Sequence, residues 1–286
     1  MSDTSAAAAD RSERGRIERA FTRARDEKRK VLVIYLCVGD PNEPESLALA
    51  RACVDAGADI LELGSPFSDP TADGPVIARA SERSIAAGGG LTMTLRVAAA
   101  LRASYKDLPL VLFGYYNPLY VRGTEHALLA AKQAGIDALL VVDLPFGHGE
   151  ELMTAARAND LRVVPLVAPT STDAHVARLA QHGADLGFVY YVSVTGVTGN
   201  AAAPLEEAAT RANLVRERTG LPVVIGFGID GPDKAKIAAR GADGVVVGTA
   251  IVREIEEAPS AEARLAKVKG MVSSLRAALD GGSASA

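Results

Sequence analysis

The chain has 286 residues, of which 48% are hydrophobic and 23% charged, so it can bury a large core and fits a single α/β domain. Its net charge of −4 and the lack of a basic block with interleaved aromatic residues argue against a nucleic-acid partner. Cys37 and Cys53 have no metal or redox spacing and suit a reducing cytoplasm, and the strand-sized apolar runs and the absence of a signal-peptide pattern argue against a membrane or secreted protein.

Small and polar residues dominate the stretch 1–14 and the stretch 281–286. Segments of this composition do not bury enough apolar surface to fold, so we expect two disordered tails. The intervening stretch 15–280 is expected to form one domain, which begins with a charged helix.

Apolar strands and amphipathic helices alternate through this domain. In a repeated pattern, a helix ends at a glycine, which we expect in the left-handed conformation. A short turn follows, and then a run too apolar for a strand that has one face in solvent. This pattern occurs at 56–63, 134–141, 182–189 and 240–247, and further apolar runs occur at 31–37, 109–115, 161–167 and 221–227. The amphipathic stretches include 44–56, 75–87, 124–134, 148–159, 172–182, 203–218 and 259–279.

Buried strands joined by helices predict a parallel sheet, and eight such units predict an α/β fold, a single-domain (β/α)8 TIM barrel. The alternative is a doubly wound open sheet, but no G-x-G-x-x-G follows the first strand, where a dinucleotide fold would carry it. In a barrel, the chemistry lies at the C-terminal ends of the strands. These ends offer Glu62, Tyr115, Asp143, Tyr190, Gly226, Gly228, Gly248 and Thr249.

The second strand ends in ELGSPFSDPTADGP, at 62–75, where three carboxylates stand among prolines and glycines. Glu62 is a lone carboxylate at the end of an apolar strand. Burial without a full set of partners would raise its pKa toward neutrality and make it a usable acid and base. The alternative is a glutamate bonded to neighbouring backbone amides. Asp73 precedes a helix that opens at Pro75, so this segment alone favours a turn or capping role for it, and even more so for Asp69.

Glycine-rich segments follow the sixth, seventh and eighth strands. The segment 193–204, SVTGVTGNAAAP, is long for such a loop and is expected to be a lid, the alternative being a plain flexible connection. IGFGID and VVVGTAIV place Gly228, Gly248 and Thr249 after the last two strands. In many barrels these two loops bind a phosphate through backbone N–H groups and a helix N-terminus, whereas glycines there can also serve tight turns alone.

The sequence does not offer the residues that two other kinds of barrel chemistry need. A Schiff base needs a lysine at the barrel mouth, but every lysine is predicted in a helix or turn. A metal site needs clustered ligands, but His126, His148, His175 and His182 are predicted on helices, so we expect surface histidines and no metal. The remaining prediction is acid–base catalysis by carboxylates on a phosphorylated substrate.

Six short segments carry most of the residues discussed so far. They are CVGDP at 37–41, ELGSPFSDPTADGP, GYYNP at 114–118, YVSVTGVTGN, IGFGI and VVVGTAIV. Their sequence and order resemble the tryptophan synthase alpha subunit family over roughly residues 15 to 280, the whole predicted domain. Ser65 and Thr71 are more polar than the residues usual there, which affects substrate packing and loop closure rather than the class of reaction.

The resemblance implies a lyase that cleaves indole-3-glycerol phosphate to indole and glyceraldehyde 3-phosphate in tryptophan biosynthesis. It implies that Glu62 protonates C3 of the indole and then removes the hydroxyl proton of the glycerol chain, while Asp73 stabilises or deprotonates N1–H. The other implied contacts are Tyr190 near the glycerol hydroxyls, Phe227 and Tyr35 at the indole, Thr198 between the lid and Asp73, and Gly199, Gly228, Gly248 and Thr249 at the phosphate.

The resemblance also implies a partner, a pyridoxal-phosphate-dependent beta subunit in an alpha2-beta2 complex. Asp69 would lie at that interface, and this chain would hold no cofactor of its own. Two alternatives stay open: a stand-alone indole-3-glycerol-phosphate lyase, and a catalytically silent barrel that activates a beta-type partner. The silent barrel would require the loss of Glu62 or Asp73, and both are present.

Overall fold

The computed structural model describes residues 15–192, 205–226 and 228–280, and the expected tails and lid lie outside these ranges. Nine strands in the described ranges form one sheet. They are β1 Val31–Cys37, β2 Ile60–Gly64, β3 Leu110–Gly114, β4 Ala138–Val141, β5 Arg162–Val163, β6 Leu166–Val167, β7 Val189–Val192, β8 Val223–Gly226 and β9 Gly244–Val247.

The sheet closes into a barrel through the segment 161–167, the predicted fifth strand. Neighbours in the order β5-β4-β3-β2-β1-β9-β8-β7-β6 are parallel, and the two end strands both belong to this segment. Pro165 has no N–H, so the ladder is interrupted and two short strands form. Val164 N donates to Leu139 O at 2.8 Å and Tyr190 N donates to Pro165 O at 3.0 Å, which joins the segment to both sides. The predicted (β/α)8 barrel is therefore confirmed, with its fifth strand divided.

Helices surround the barrel. In the described ranges they are α1 Arg16–Asp26, α2 Glu43–Asp55, α3 Pro75–Ala86, α4 Leu91–Ser104, α5 Asn117–Tyr120, α6 Thr124–Gln133, α7 Glu150–Ala158, α8 Asp173–Gln181, α9 Leu205–Thr219, α10 Pro232–Ala239, α11 Thr249–Glu257 and α12 Ala261–Asp280. The sequence did not indicate α4, because its alanine-rich composition gives little contrast between its two faces. No single helix in these ranges is long and apolar enough to cross a membrane; α3 and α4 pass that test only as a pair bent by 93°.

Side chains alternate along the strands and divide the core into two parts. Val31 of β1 points into the barrel, where Ile60 and Phe188 also pack, whereas the next residue, Leu32, packs under the helices. Helix α1 closes the N-terminal end of the barrel, because Phe21 packs on Phe188 with ring centroids 5.6 Å apart. The open end of the barrel is therefore the C-terminal one.

Three of the four aspartates of the repeated glycine pattern lie at the N-terminal ends of strands. Their carboxylates accept hydrogen bonds of 2.9 Å from backbone N–H groups of neighbouring strands: Asp59 from Leu32, Asp137 from Leu110, and Asp243 from Val223. Arginines complete the arrangement, and Asp59 pairs with Arg29 at 2.8 Å and Arg276 at 2.9 Å. The repeat therefore stabilises the barrel at the face opposite the one that carries chemistry in this fold.

The left-handed conformation predicted for the four repeat glycines is found at two of them. Gly57 has φ of +109° and Gly135 has φ of +89°. The prediction is wrong for Gly183, which opens a short 3-10 turn, and for Gly241. Gly241 serves a different purpose, because a Cβ there would collide with the backbone carbonyl of Ala209.

Candidate active site

Glu62 lies inside the barrel near the C-terminal end of β2. It faces the same way as Ile60, two residues earlier, which packs in the barrel interior. Glu62 is 1% exposed, and neither carboxylate oxygen has a hydrogen-bond partner among the described residues. Burial therefore raises the pKa of Glu62 from 4.5 to about 8. The alternative of a glutamate bonded to neighbouring backbone amides finds no support among the described residues. The carboxyl group of Glu62 is mostly protonated at neutral pH.

Asp73 lies in the turn before α3, partly buried. Its backbone N–H closes the turn by donating to Pro70 O at 3.0 Å. Its side chain is directed elsewhere, because Oδ2 accepts a hydrogen bond of 3.0 Å from the Tyr115 hydroxyl. Burial raises the pKa of Asp73 from 3.8 to about 6, and the hydrogen bond from Tyr115 opposes that rise. The predicted turn is present, and the Asp73 carboxylate is mostly ionised at pH 7.

Glu62 and Asp73 line one cavity of about 270 Å³ at the C-terminal end of the barrel. Tyr35, Phe113 and Tyr190 line it as well. The rings of Tyr35 and Phe113 meet edge to face, with centroids 4.9 Å apart and an interplanar angle of 72°. An aromatic wall beside two carboxyl groups suits a flat aromatic substrate that gains and loses protons.

Two strand-end glycines make room for the tyrosines. A side chain at Gly64 would overlap the Tyr35 ring, and one at Gly226 would overlap the Tyr190 ring. Burial raises the pKa of both tyrosine hydroxyls well above the ordinary value, so both stay neutral and can donate hydrogen bonds. The structure therefore gives Gly226 a packing role.

Gly228, Gly248 and Thr249 line the same cavity. Gly228 has a φ of +75°, a backbone conformation that favours glycine. This residue therefore also serves the tight turn that the sequence left as an alternative. Gly248 directly precedes α11 and Thr249 is its first residue. The first N–H groups of a helix have no partner within it, and together with the helix dipole they favour an anion. This part of the cavity fits a phosphate group.

Four predicted site residues are not seen in the cavity. Asp69 is exposed, and Ser68 Oγ donates a hydrogen bond of 2.7 Å to its carboxylate. Its place on an open loop fits an interface residue better than a catalyst. Phe227, Thr198 and Gly199 lie outside the described residues, and their roles stay predictions.

The histidines lie outside the cavity. His126 and His148 are exposed, as expected, and His175 and His182 lie beside Phe146, partly covered, with 39% of the His182 side chain exposed. No group of three or more His, Cys, Asp or Glu side chains in the described ranges could hold a metal ion.

The sequence offers Tyr115 at a strand end without a role and favours a structural, loop-positioning role for Asp143. Tyr115 holds the Asp73 loop, since its hydroxyl also accepts a hydrogen bond of 3.0 Å from Ala72 N. Asp143 accepts a hydrogen bond of 2.8 Å from Tyr116 N and does not line the cavity, which makes it a loop-positioning residue. Lining residues that the sequence did not indicate include Phe113, Ile229, Asp230, Lys234 and Arg253.

A larger and more open groove, of about 720 Å³, lies at the N-terminal end of the barrel. Asp59, Arg29 and Arg276 line it, and these side chains are already joined in ion pairs. Residues at this end of a barrel serve stability, whereas catalytic groups lie at the C-terminal end. The smaller cavity around Glu62 is therefore the candidate active site.

The tryptophan synthase alpha chain family model matches residues 21–280. The tryptophan synthase alpha chain of Dechloromonas aromatica (strain RCB) is 44% identical over 266 residues, which cover 93% of this chain and 98% of that protein. The tryptophan synthase alpha chain of Thiobacillus denitrificans (strain ATCC 25259 / T1) is 44% identical over 268 residues, 94% of this chain and 97% of that protein.

Solved structures agree with these sequence matches. The tryptophan synthase subunit alpha of Legionella pneumophila str. Paris superposes with a TM-score of 0.86 at 33% identity, covering 93% of this chain and 99% of that one. A chain of tryptophan synthase from M. tuberculosis, in its aminoacrylate-bound form, superposes with a TM-score of 0.82 at 30% identity, covering 93% and 100%. The chain belongs to the tryptophan synthase alpha chain family.

Proposed function

We propose that this chain cleaves indole-3-glycerol phosphate to indole and glyceraldehyde 3-phosphate with Glu62 and Asp73 as its acid–base groups. Family membership gives the chain the role of the alpha subunit, a lyase of tryptophan biosynthesis. The assignment of residues rests on one observation. The buried carboxyl of Glu62, which has no hydrogen-bond partner among the described residues, lines the same cavity as Asp73.

The two carboxyl groups differ in protonation, which divides the work between them. The pKa of Glu62 is about 8, so this group carries a proton at pH 7 and can act as an acid. The pKa of Asp73 is about 6, so this group is mostly an anion at the same pH. Two carboxyl groups whose environments separate their pKa values are the arrangement expected for paired acid and base roles.

The reaction then balances with these two groups. Glu62 gives its proton to C3 of the indole, which leaves an indoleninium whose positive N1–H is stabilised by the Asp73 carboxylate. Glu62, now an anion, takes the proton of the glycerol hydroxyl next to the scissile bond. The C–C bond breaks, its electrons neutralise the indoleninium, an aldehyde forms and indole leaves. Glu62 ends the cycle protonated.

The remaining cavity residues hold the substrate in this proposal. The edge-to-face rings of Tyr35 and Phe113 line the indole site together with Phe227. Tyr190, kept neutral by burial, donates to the glycerol hydroxyls. The phosphate is held by backbone N–H groups of Gly199, Gly228 and Gly248 and by the backbone and hydroxyl of Thr249, while Thr198 joins the lid to Asp73.

The partner in this proposal is the tryptophan synthase beta subunit, bound at the C-terminal end of the barrel as part of an alpha2-beta2 complex. Asp69 lies there on an exposed loop, and after β3 the large apolar side chains of Tyr120 and Val121 are 60% and 68% exposed. Neighbouring exposed apolar side chains are typical of a protein contact. The partner would hold the pyridoxal phosphate, and both would act in the cytoplasm, where the free Cys37 and Cys53 stay reduced.

Indole release from indole-3-glycerol phosphate tests the proposal, with the purified chain alone and with a beta subunit added. Slow release that rises strongly with the partner supports an alpha subunit, whereas fast release by the chain alone supports the stand-alone lyase. No release in either condition removes the lyase assignment and leaves only a phosphate-binding barrel.

The role of Glu62 is tested by Glu62→Gln, which keeps the shape of the side chain and removes its acid. The matched control is Glu82→Gln, because Glu82 is exposed on α3 and does not line the cavity. Loss of a general acid typically lowers the rate about 10²- to 10⁴-fold. Activity of Glu62→Gln at the level of Glu82→Gln would overturn the mechanism.

A further inference from the structure

We propose that Arg253 is a further substrate-binding residue, whose guanidinium contacts the phosphate group of the substrate. The inference rests on the proposed function, since it concerns the phosphate end of the same cavity. It adds a side-chain cation to a phosphate site that the sequence predicts from backbone N–H groups and a helix N-terminus alone.

Arg253 lies on the same face of α11 as Thr249, one helical turn further along. Long side chains in a helix lean back toward its N-terminus and cover the preceding turn. Arg253 therefore leans toward the helix end that begins with Thr249, and both residues line the cavity. A ligand oxygen bound by the first N–H groups of α11 comes within reach of the guanidinium.

Among the cavity residues that the structure describes, Arg253 is also the cation that is available to a ligand. Lys234 lines the cavity too, but its ammonium pairs with the Asp230 carboxylate at 2.7 Å. Arg253 is exposed and makes no hydrogen bond or ion pair with the residues that the structure describes. Asp73 adds a negative charge to the same cavity. An added phosphate dianion thus needs a positive partner, and Arg253 can supply it.

The chemistry of arginine suits this contact. A planar guanidinium can donate two parallel hydrogen bonds to phosphate oxygens, and such charge-assisted pairs are about twice as strong as neutral ones. Because the phosphate does not take part in bond breaking, its contacts bind ground state and transition state alike. Losing one should therefore raise KM and leave kcat almost unchanged.

The test compares Arg253→Met with Arg253→Lys and with the matched control Arg240→Met. Methionine keeps much of the apolar stem and removes the charge. Arg240 is exposed at the end of α10 and does not line the cavity, so its replacement changes the net charge equally. The measurements are kcat and KM for indole-3-glycerol phosphate, and calorimetric titration of each full-length chain with inorganic phosphate.

We expect Arg253→Met to raise KM about tenfold, to weaken inorganic phosphate binding by a similar factor, and to leave kcat within about twofold. Arg253→Lys should recover part of both losses, and the KM of the Met variant should depend less on salt than that of the parent chain. A KM equal to that of Arg240→Met, or a loss confined to kcat, would overturn the inference.

The two measurements separate this inference from the proposed function. If the parent chain releases no indole but Arg253→Met still weakens binding of inorganic phosphate, the reaction is wrong and the phosphate contact stands. If the parent chain cleaves its substrate and Arg253→Met binds phosphate as the parent does, the contact is wrong and the reaction stands.

Discussion

The Tyr115 hydroxyl donates a hydrogen bond of 3.0 Å to Asp73 Oδ2 and accepts one of 3.0 Å from Ala72 N. Tyr115 directly follows β3, and Asp73 lies on the loop after β2, the neighbouring strand. The contact therefore joins two adjacent strand ends. It fixes the position of the Asp73 carboxylate and opposes the rise in its pKa that burial causes.

Tyr115→Phe is expected to raise the pKa of Asp73 above about 6, because the hydrogen bond that favours the anion is lost. In the proposed mechanism Asp73 acts ionised and Glu62 protonated, so kcat/KM should fall at pH below the first pKa and above the second. The parent profile should therefore have limbs near about 6 and about 8. In Tyr115→Phe only the acidic limb should move, toward higher pH.

The control for this change is Tyr116→Phe, since the Tyr116 hydroxyl is hydrogen-bonded to Thr124 Oγ1 at 3.0 Å and does not contact Asp73. The substrate phosphate can also titrate near pH 6, but its ionisation is the same in all variants. An acidic limb that stays in place in Tyr115→Phe would contradict the positioning role.

The buried Glu62 should make the protein less stable as the pH rises. The unfolded chain releases this proton near the ordinary pKa of 4.5, whereas the folded chain keeps it up to about 8. The folded state thus binds the extra proton between these values, and each pH unit there lowers the free energy of unfolding by at most about 1.4 kcal/mol. Glu62→Gln has no such proton, so its stability relative to the parent should grow steadily from pH 5 to pH 8.

Urea unfolding of the parent, Glu62→Gln and the exposed control Glu82→Gln across that range measures the effect. The prediction concerns how the difference in unfolding free energy between Glu62→Gln and the parent changes with pH, because the glutamine amide adds only a constant offset to that difference. Parallel curves for the parent and Glu62→Gln would mean that Glu62 is already ionised in the folded state.

Asp59 should be among the most important charged residues for stability. It is buried at the N-terminal end of β2, where it accepts from Leu32 N and pairs with Arg29 and Arg276. Asp59→Ala leaves two partly buried guanidinium groups and a backbone N–H without this acceptor, a type of loss that costs about 3–5 kcal/mol. Asp107→Ala breaks an exposed pair with Arg19 and should cost less than about 1 kcal/mol. Equal losses in chemical denaturation would show that Asp59 contributes no more than a surface charge.

The sequence is informative where a residue is unusual in its own segment. Glu62 could be found because a carboxylate inside an apolar strand is rare, and Gly248 and Thr249 because they stand between a strand and a helix. Tyr115 and Arg253 could not be assigned in this way. The role of Tyr115 depends on which strand lies beside β2, and Arg253 reaches the cavity only because a helical side chain leans back by one turn.

Ser65 tests whether a polar residue just after β2 reduces stability. Its Oγ is buried without a hydrogen-bond partner in the described ranges, and Ser65 lines an apolar gap of about 10 Å³ together with Leu112 and Leu139. Ser65→Val removes the unpaired hydroxyl and adds methyl groups toward the gap, which should raise the free energy of unfolding by about 1 kcal/mol. Ser65→Thr also adds a methyl group but keeps a hydroxyl, so it separates filling of the gap from removal of the polar group. In urea unfolding, Ser65→Val should be more stable than Ser65→Thr, with an unchanged m value. If the two variants are equally stable, the hydroxyl carries no penalty and the gain comes from packing alone.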